Sequence, residues 1–419
     1  MPKLAIPAAA QFRAGAAKVD ITPDVQAMKV PLGGYAARRA APATGMHDPV
    51  FARALILSEG SAKAGVVSVD LCFVPASLAS EVVRRVQAAG VTGLDADHLL
   101  LAATHSHTAP DPLAMHRRNS FTYTGWTRFA PALLAFTAER IAQAIVQADR
   151  RQVPAQAGWG AQQTRGLNRN RRDEPVVDPA LTLLKVTDAT GRPLAALVNF
   201  AAHPTLYGDK MMAVSADWPG VMTADMEKVM GNGAVCLFLN GAEGDAAPKE
   251  AEGMTADARV QDYGHRVGQT ARSLLNTITT RSKPVLAAWT HTITLPPRKA
   301  NGMFLLAAAT YGASIPQARQ LVDGLMPETS TFHFIRIGDL LLMGFPCEPS
   351  GELGLAAKAE ARKAGFALPV VVALANDWLA YALTPAQYRA GKYEAMMSFY
   401  GDQLGPTLLA SLQTGLQHR

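Results

Sequence analysis

The sequence is poor in cysteine, in charge and in long apolar runs. Three cysteines occur in 419 residues, Cys72, Cys236 and Cys347, each in or beside an apolar run. An odd number so placed argues against a disulfide framework and for buried thiols. Charged residues make up 18% of the chain and the formal net charge is only +6, with lysines and arginines scattered. The densest basic run, LNRNRRDE at 167–174, is broken by acids and lacks aromatic interleaving, so nothing calls for a nucleic-acid partner. No run approaches the roughly 18 apolar residues of a membrane span. Nor does any long apolar stripe or basic amphipathic helix suggest a membrane-docking surface. The opening MPKLAIPAAAQ has too short an apolar core for a signal peptide. The expected compartment is therefore cytoplasmic from the sequence as given, or periplasmic or secreted if a leader was trimmed. Repeats, low-complexity tracts and long linkers are also lacking, so residues 1–419 are expected to form one domain.

What is present is an ordinary globular balance, 49% hydrophobic, with two kinds of segment. Apolar residues at helical spacing mark helices over 76–90, 133–150, 258–278 and 350–365. Short β-branched runs at 66–70, 98–103, 194–200, 234–239, 340–345 and 370–374 read as buried strands. Their alternation predicts an α/β fold, with a mixed, mostly buried sheet flanked by helices.

The informative pattern follows the strands. HLLLAAT runs into His105 and His107, and LAALVNFAA into His203. AVCLFLNGAEGD delivers Asn240, Glu243 and Asp245; LLLMGFPCE ends at Glu348; PVVVALANDWLAY leads to Tyr381. Ligands of open α/β sheets gather beyond the carboxyl ends of strands, so five such ends would build one site. His105 and His107 would point the same way if the extended conformation persists past the strand. Two histidines, a glutamate and a further ligand are a known zinc set that leaves a position for water. The wide spacing excludes a zinc finger and the H-E-x-x-H helix. An H-x-H pair also opens amidohydrolase-type barrels, but there it lies near the start, on the first strand. Each residue has a plainer reading too: His203 as a core histidine, Glu348 as a helix N-terminal carboxylate, Tyr381 as a half-buried phenol, Arg169 paired with Asp173 or Glu174. Structural turn roles suit His47, Asp48 and Asp217, and Cys347 suits a packed thiol.

In order along the chain, VDITP, LGGYA, GMHDPVFARA, ATHSHTAPD, NFAAHPT, GFPCEPSGELG and NDWLAYALTPAQYRAGKYEAMMSFYG form an ordered series of motifs. With them the chain resembles the catalytic domain of the neutral (non-lysosomal) ceramidase family, from about residue 12 to its C-terminus. The resemblance implies that His105, His203, Glu348 and Tyr381 ligate Zn2+. It also implies that His107 donates a proton or a hydrogen bond to the reacting carbonyl, and that Arg169, in GLNRNRRD, holds a polar group of substrate. Asn240, Asp245 and the position of Ala247 would line the substrate. The zinc site would lie at the carboxyl ends of the strands, and the reaction would be amide (N-acyl) hydrolysis by a metal-activated water.

Two departures shape the expected substrate. GDAAP places Ala247 where the family carries a serine, and the β-sandwich domain that follows in family ceramidases is not represented. A smaller, soluble amide rather than ceramide is therefore expected. Ester, lactone or other hydrolysis at the same zinc stays open, as does a non-catalytic metal- or ligand-binding protein. The sequence does not indicate an oligomeric state.

Overall fold

The computed structural model describes residues 11–417. Period-two alternation of small and branched apolar residues builds the larger of two stacked sheets. Its strands are β1 (Arg13–Asp20), β2 (Phe51–Glu59), β3 (Ala62–Val69), β4 (Leu99–Ala103), β5 (Val153–Gln163), β6 (Ala180–Asp188), β7 (Pro193–Phe200) and β8 (Val235–Asn240). They lie in the order β8-β7-β6-β5-β1-β2-β3-β4. Only the two edge pairs, β7 with β8 and β3 with β4, are parallel. A second sheet contains β9 (Leu286–Thr294), β10 (Thr329–Ile337), β11 (Leu340–Gly344) and β12 (Leu368–Val372), in that order, again with one parallel pair at its end.

The alternation sorts side chains between layers. On β2, Leu55 and Leu57 face the second sheet while Ala54 and Ile56 face helices; on β8, Leu237 and Phe238 divide the same way. Helices α1 (Ala76–Ala88) and α2 (Pro131–Arg150) cover one half of the large sheet, and α3 (Asp217–Met230) and α4 (Ala256–Thr277) the other. On α2 the buried Leu134, Ala138, Ile141 and Ile145 recur at helical spacing, and each fully buried leucine or isoleucine contributes about 1.5–3 kcal/mol. Between β9 and β10 the chain makes a helical hairpin, α5 (Gly302–Thr310) and α6 (Ile315–Leu325). Beyond the second sheet pack α7 (Gly351–Lys363) and α8 (Leu404–Gln417), giving helix, sheet, sheet and helix layers.

The α/β class and the buried mixed sheet are those read from the sequence; the doubling of the sheet is not. The strands between the parallel pairs are not continuous apolar runs. β5 reads VPAQAGWGAQQ, and its backbone pairing with β6 rather than its hydropathy makes it a strand. The hairpin α5–α6 also went unread. Among the described residues no helix is long and apolar enough to cross a membrane.

The layers converge at one end. Asn240, closing β8, donates from Nδ2 to the carbonyls of Thr104 (3.3 Å) and Ala202 (3.1 Å), tying the ends of β4, β7 and β8 together. Ala373 N–H donates to the Asn240 carbonyl, which brings in the end of β12. A short parallel bridge then sets Glu348 directly beside Tyr381.

Candidate metal centre

His105 sits two residues beyond β4, where the backbone has already left the strand: its φ is 78°, in the left-handed region. Continued extension therefore does not align the H-x-H pair. The turn does so instead, and the two rings meet edge-on at 4.7 Å between centroids. The His105 N–H donates to Leu71 O (2.9 Å), and Nδ1 lies 2.5 Å from Cys72 O. A carbonyl there requires Nδ1 to carry the proton, which turns the Nε2 lone pair inward. His203 repeats the device, with Nδ1 3.1 Å from Ala246 O.

Glu348 completes the centre. Its Oε1 accepts from Trp378 Nε1 (3.1 Å), while Oε2 lies 3.3 Å from His105 Nε2 and 3.4 Å from His203 Nε2. With both imidazoles donating from Nδ1, three acceptor atoms face one another, all within 4.8 Å, and Oε2 has no hydrogen-bond donor. Buried lone pairs so arranged repel unless a cation lies among them. Burial disfavours a charged His105, yet Glu348 holds its pKa well above the ordinary value, while burial and Arg171 push His203 down to about 3. Glu348 thus favours positive charge beside it. His and carboxylate donors at this spacing fit a divalent transition metal.

Tyr381 adds a fourth donor, its hydroxyl 3.2 Å from His203 Nε2. Burial and Glu348 push the phenol well above its usual range, against the pull of Arg171. Arg171 donates from Nη2 to that hydroxyl (3.0 Å) and to Gly244 O (2.8 Å), and from Nε to Glu394 (2.8 Å).

His107 stands just outside this set, with Nε2 3.2 Å from His105 Nε2 and Nδ1 unpartnered. Burial, with His105 and His203 alongside, pushes it well below the usual histidine range, so it is neutral. Its carbonyl accepts from buried Arg38 (2.5 Å), and its ring packs edge-on against Tyr35. Gly34, at φ 87°, makes room: a Cβ there would lie 2.4 Å from the imidazole. The motif LGGYAARR is thus the cradle of the second histidine.

His105, His107, Glu348 and Tyr381 line a cavity of about 550 Å³, with His203 behind them, within the ~300–1,000 Å³ usual for small-molecule sites. Its walls are mostly apolar: Leu32, Phe73, Leu113 and Trp378, with Phe304, Leu321 and Leu325 from the α5–α6 hairpin and Met326 just after it; Asp111 and Asp209 also line it.

Other residues singled out in the sequence lie elsewhere. Arg169 is exposed and pairs across a short ladder with Ala247, neither of them lining the cavity. Arg171 is the arginine that reaches the centre, because the strand stops at Asn170 and the chain turns. The sequence holds two Asn-Arg pairs, 168–169 and 170–171, and nothing local separates them. Asn240 and Asp245 are fully buried and occupied by the protein. Asn240 binds strand-end backbone, and Asp245 accepts from Gly351 N–H (2.7 Å) at the start of α7 and from Asn170 Nδ2 (3.1 Å). They hold the scaffold of the site. His47 and Asp48 brace the turn before α3, where Asp48 accepts from Ser215 and from Ala216 N–H. Buried Asp217 accepts from the N–H groups of Tyr207 and Trp218. Cys347 is fully buried, its thiol pushed up by burial. Two groups unread in the sequence border the centre: Tyr393, edge-on to Tyr381, and Glu394, which orients Arg171.

The model of the family described as neutral/alkaline non-lysosomal ceramidase, N-terminal, matches residues 12–266. The neutral ceramidase of Pseudomonas aeruginosa is 24% identical over 95% of this chain and 71% of its own length. Neutral ceramidase A of Dictyostelium discoideum is 28% identical over 52% of this chain, which spans about a third (34%) of that protein. The crystal structure of the Pseudomonas aeruginosa neutral ceramidase superposes with a TM-score of 0.83 at 20% identity, covering 98% of this chain and 75% of that one. A structure of a ceramidase complexed with C2 gives a TM-score of 0.82 at the same identity.

Proposed function

Because this chain belongs to the neutral/alkaline non-lysosomal ceramidase family, we propose that it is a zinc-dependent amidohydrolase cleaving the N-acyl bond of a ceramide-type lipid amide. The observation that carries this reading is the convergence of donor atoms of His105, His203 and Glu348, all within 4.8 Å of one another, beside a largely apolar cavity that His105 and Glu348 line. Residues 1–419 act in it as one catalytic domain. His105, His203, Glu348 and Tyr381 would hold the ion. When bound, it supplies Lewis-acid polarisation of the scissile carbonyl and a water acidic enough to act near neutral pH.

The chain's own residues do the rest. His107, whose Nε2 faces the centre beside His105 Nε2 while Nδ1 lies against Gly34, moves a proton at the scissile amide or hydrogen-bonds its oxygen. Arg171 fixes the Tyr381 oxygen and is itself oriented by Glu394. Tyr393 offers a hydroxyl at the cavity wall. The largely apolar walls lower the local polarity around the buried groups, which strengthens polar interactions there.

The expected preference for a small soluble amide gives way on two counts. The cavity walls suit a hydrocarbon chain, and the named relatives are ceramidases. Ala247, where a serine was expected, does not line the cavity. The test is metal analysis followed by a hydrolysis screen of N-acyl amides of increasing acyl length, long-chain ceramide in detergent among them. The expected result is about one zinc per chain and turnover that rises with acyl length. Metal-replete protein that cleaves no amide would overturn the reading.

A further inference from the structure

The hairpin α5–α6 has two apolar sides, and only one of them is used. Helix α5 reads GMFLLAAAT, apolar all round, whereas a helix packed on a protein core keeps one polar face. Leu305 and Ala308 are buried inward, while Met303 and Leu306 stand 63% and 61% exposed. These are the most exposed large apolar side chains among the described residues, and Ile315 beside them, at the start of α6, is 44% exposed. The same hairpin walls the cavity through Phe304 and Ala307 on α5 and Leu321 and Leu325 on α6. Exposed patch and cavity wall are thus two sides of one element.

Charge is distributed to match. Residues 300–318 carry no charged side chain, and cations flank them at Lys299 and Arg319. Arg39 approaches the turn between the helices, where a Cβ on Gly312 would lie 3.9 Å from its Nη2. It also lines an open cleft of about 670 Å³ that contains Lys29, Arg39 and Arg128 and no acidic residue. Cleft and cavity share Gly125 and Trp126 at their common rim.

We propose that this face docks the protein on an anionic lipid surface. The outer side of α5 and the first turn of α6 enter the apolar boundary, and Lys29, Arg39 and Arg128 meet the headgroups. Continuity of the patch with the cavity gives a lipid amide a path along the hairpin to the floor without crossing water; that last step rests on the lipid-amide reading. A second copy is the poorer occupant, because a two-fold interface would bring the same cations together.

The test is co-sedimentation of the full chain with vesicles of phosphatidylcholine alone and of phosphatidylcholine mixed with phosphatidylglycerol. Binding is expected to the mixed vesicles. It should fall about tenfold or more in Met303→Ser/Leu306→Ser, and it should fall with added salt and in Arg39→Glu/Arg128→Glu. Hydrolysis of a short-chain, water-soluble N-acyl amide should be unchanged in Met303→Ser/Leu306→Ser. Absence of vesicle binding by the unaltered chain, or unchanged binding by that variant, overturns the proposal. So does a dimer that the variant converts to monomer while vesicles are ignored. Binding is read without turnover, so an inactive protein that binds vesicles sinks the amidase reading alone, and an active one that ignores them sinks docking alone.

Discussion

The floor and the mouth of the cavity are built by opposite means. At the floor, residues from 105, 203, 348 and 381 meet because the ends of strands in two sheets are tied together by Asn240 and its neighbours. The orienting atoms there have backbone partners, and the side chains are buried. At the mouth, a local helical hairpin lines the cavity with uncharged, mostly apolar side chains, its Arg319 and Asp323 lying outside the lining. Rigidity over long sequence distance suits the proposed role of holding a cation and aiming a proton. A hairpin inserted between two strands can be reshaped without disturbing that centre. The floor should therefore respond to substitution by losing chemistry, and the mouth by losing preference for long chains.

The largest effect expected is at the floor. His105→Ala and His203→Ala should each abolish both bound metal and hydrolysis, as read by elemental analysis beside an activity assay. Tyr381→Phe, which keeps the ring, should lose less. Full zinc occupancy in the double alanine variant would remove the centre from consideration. Next comes His107→Ala, expected to keep its metal and lose about 10²–10⁴-fold in kcat. If it lost metal as readily as His105→Ala, the line drawn between holding the ion and moving a proton would be misplaced.

A pair of arginines sharpens the boundary of the floor. Arg171→Ala should lower kcat at least about tenfold with metal retained, since it removes the guanidinium that fixes the Tyr381 oxygen and one of the two arginines, with Arg172, on the buried Glu394 carboxylate. Arg169→Ala, on an exposed ladder, should stay within about threefold of the unaltered chain. Equal losses would mean that the short strand does not separate them. The smallest effect belongs to the mouth. Leu321→Ala opens the wall by a few methylenes at ~0.8 kcal/mol each, so KM for a long-chain amide should rise about tenfold while a short-chain amide is barely affected. A uniform loss across chain lengths would erase the distinction between mouth and floor.

Much of the floor was legible because its residues follow apolar runs that could hardly be anything but buried strands. His105, His203 and Glu348 each appear within a few positions of such a run, and the order of the surrounding motifs named the family. The structure brings Arg171 rather than Arg169 to the centre, a choice the sequence could not make because Asn168-Arg169 and Asn170-Arg171 are the same dipeptide twice. Only the end of the strand at Asn170 distinguishes them. Asn240 and Asp245 look like site residues in sequence, since polar side chains at strand ends usually are. Their amide and carboxylate are instead consumed by backbone groups of Thr104, Ala202 and Gly351. GMFLLAAAT carries no polar face to mark it as a surface helix, and so gave no periodic signal.

Composition and local pattern, then, determined the α/β class, the principal helices and parallel strands, and the identity of the candidate ligands, because burial and side-chain chemistry are properties of residues and their near neighbours. Tertiary structure decided that two large sheets stack, which arginine faces the centre, which strand-end polar groups are scaffold, and that an apolar hairpin stands at the cavity mouth with one side bare. Those depend on contacts between residues tens to hundreds of positions apart. Their energies arise from packing, hydrogen-bond competition and register, which no short window of sequence contains.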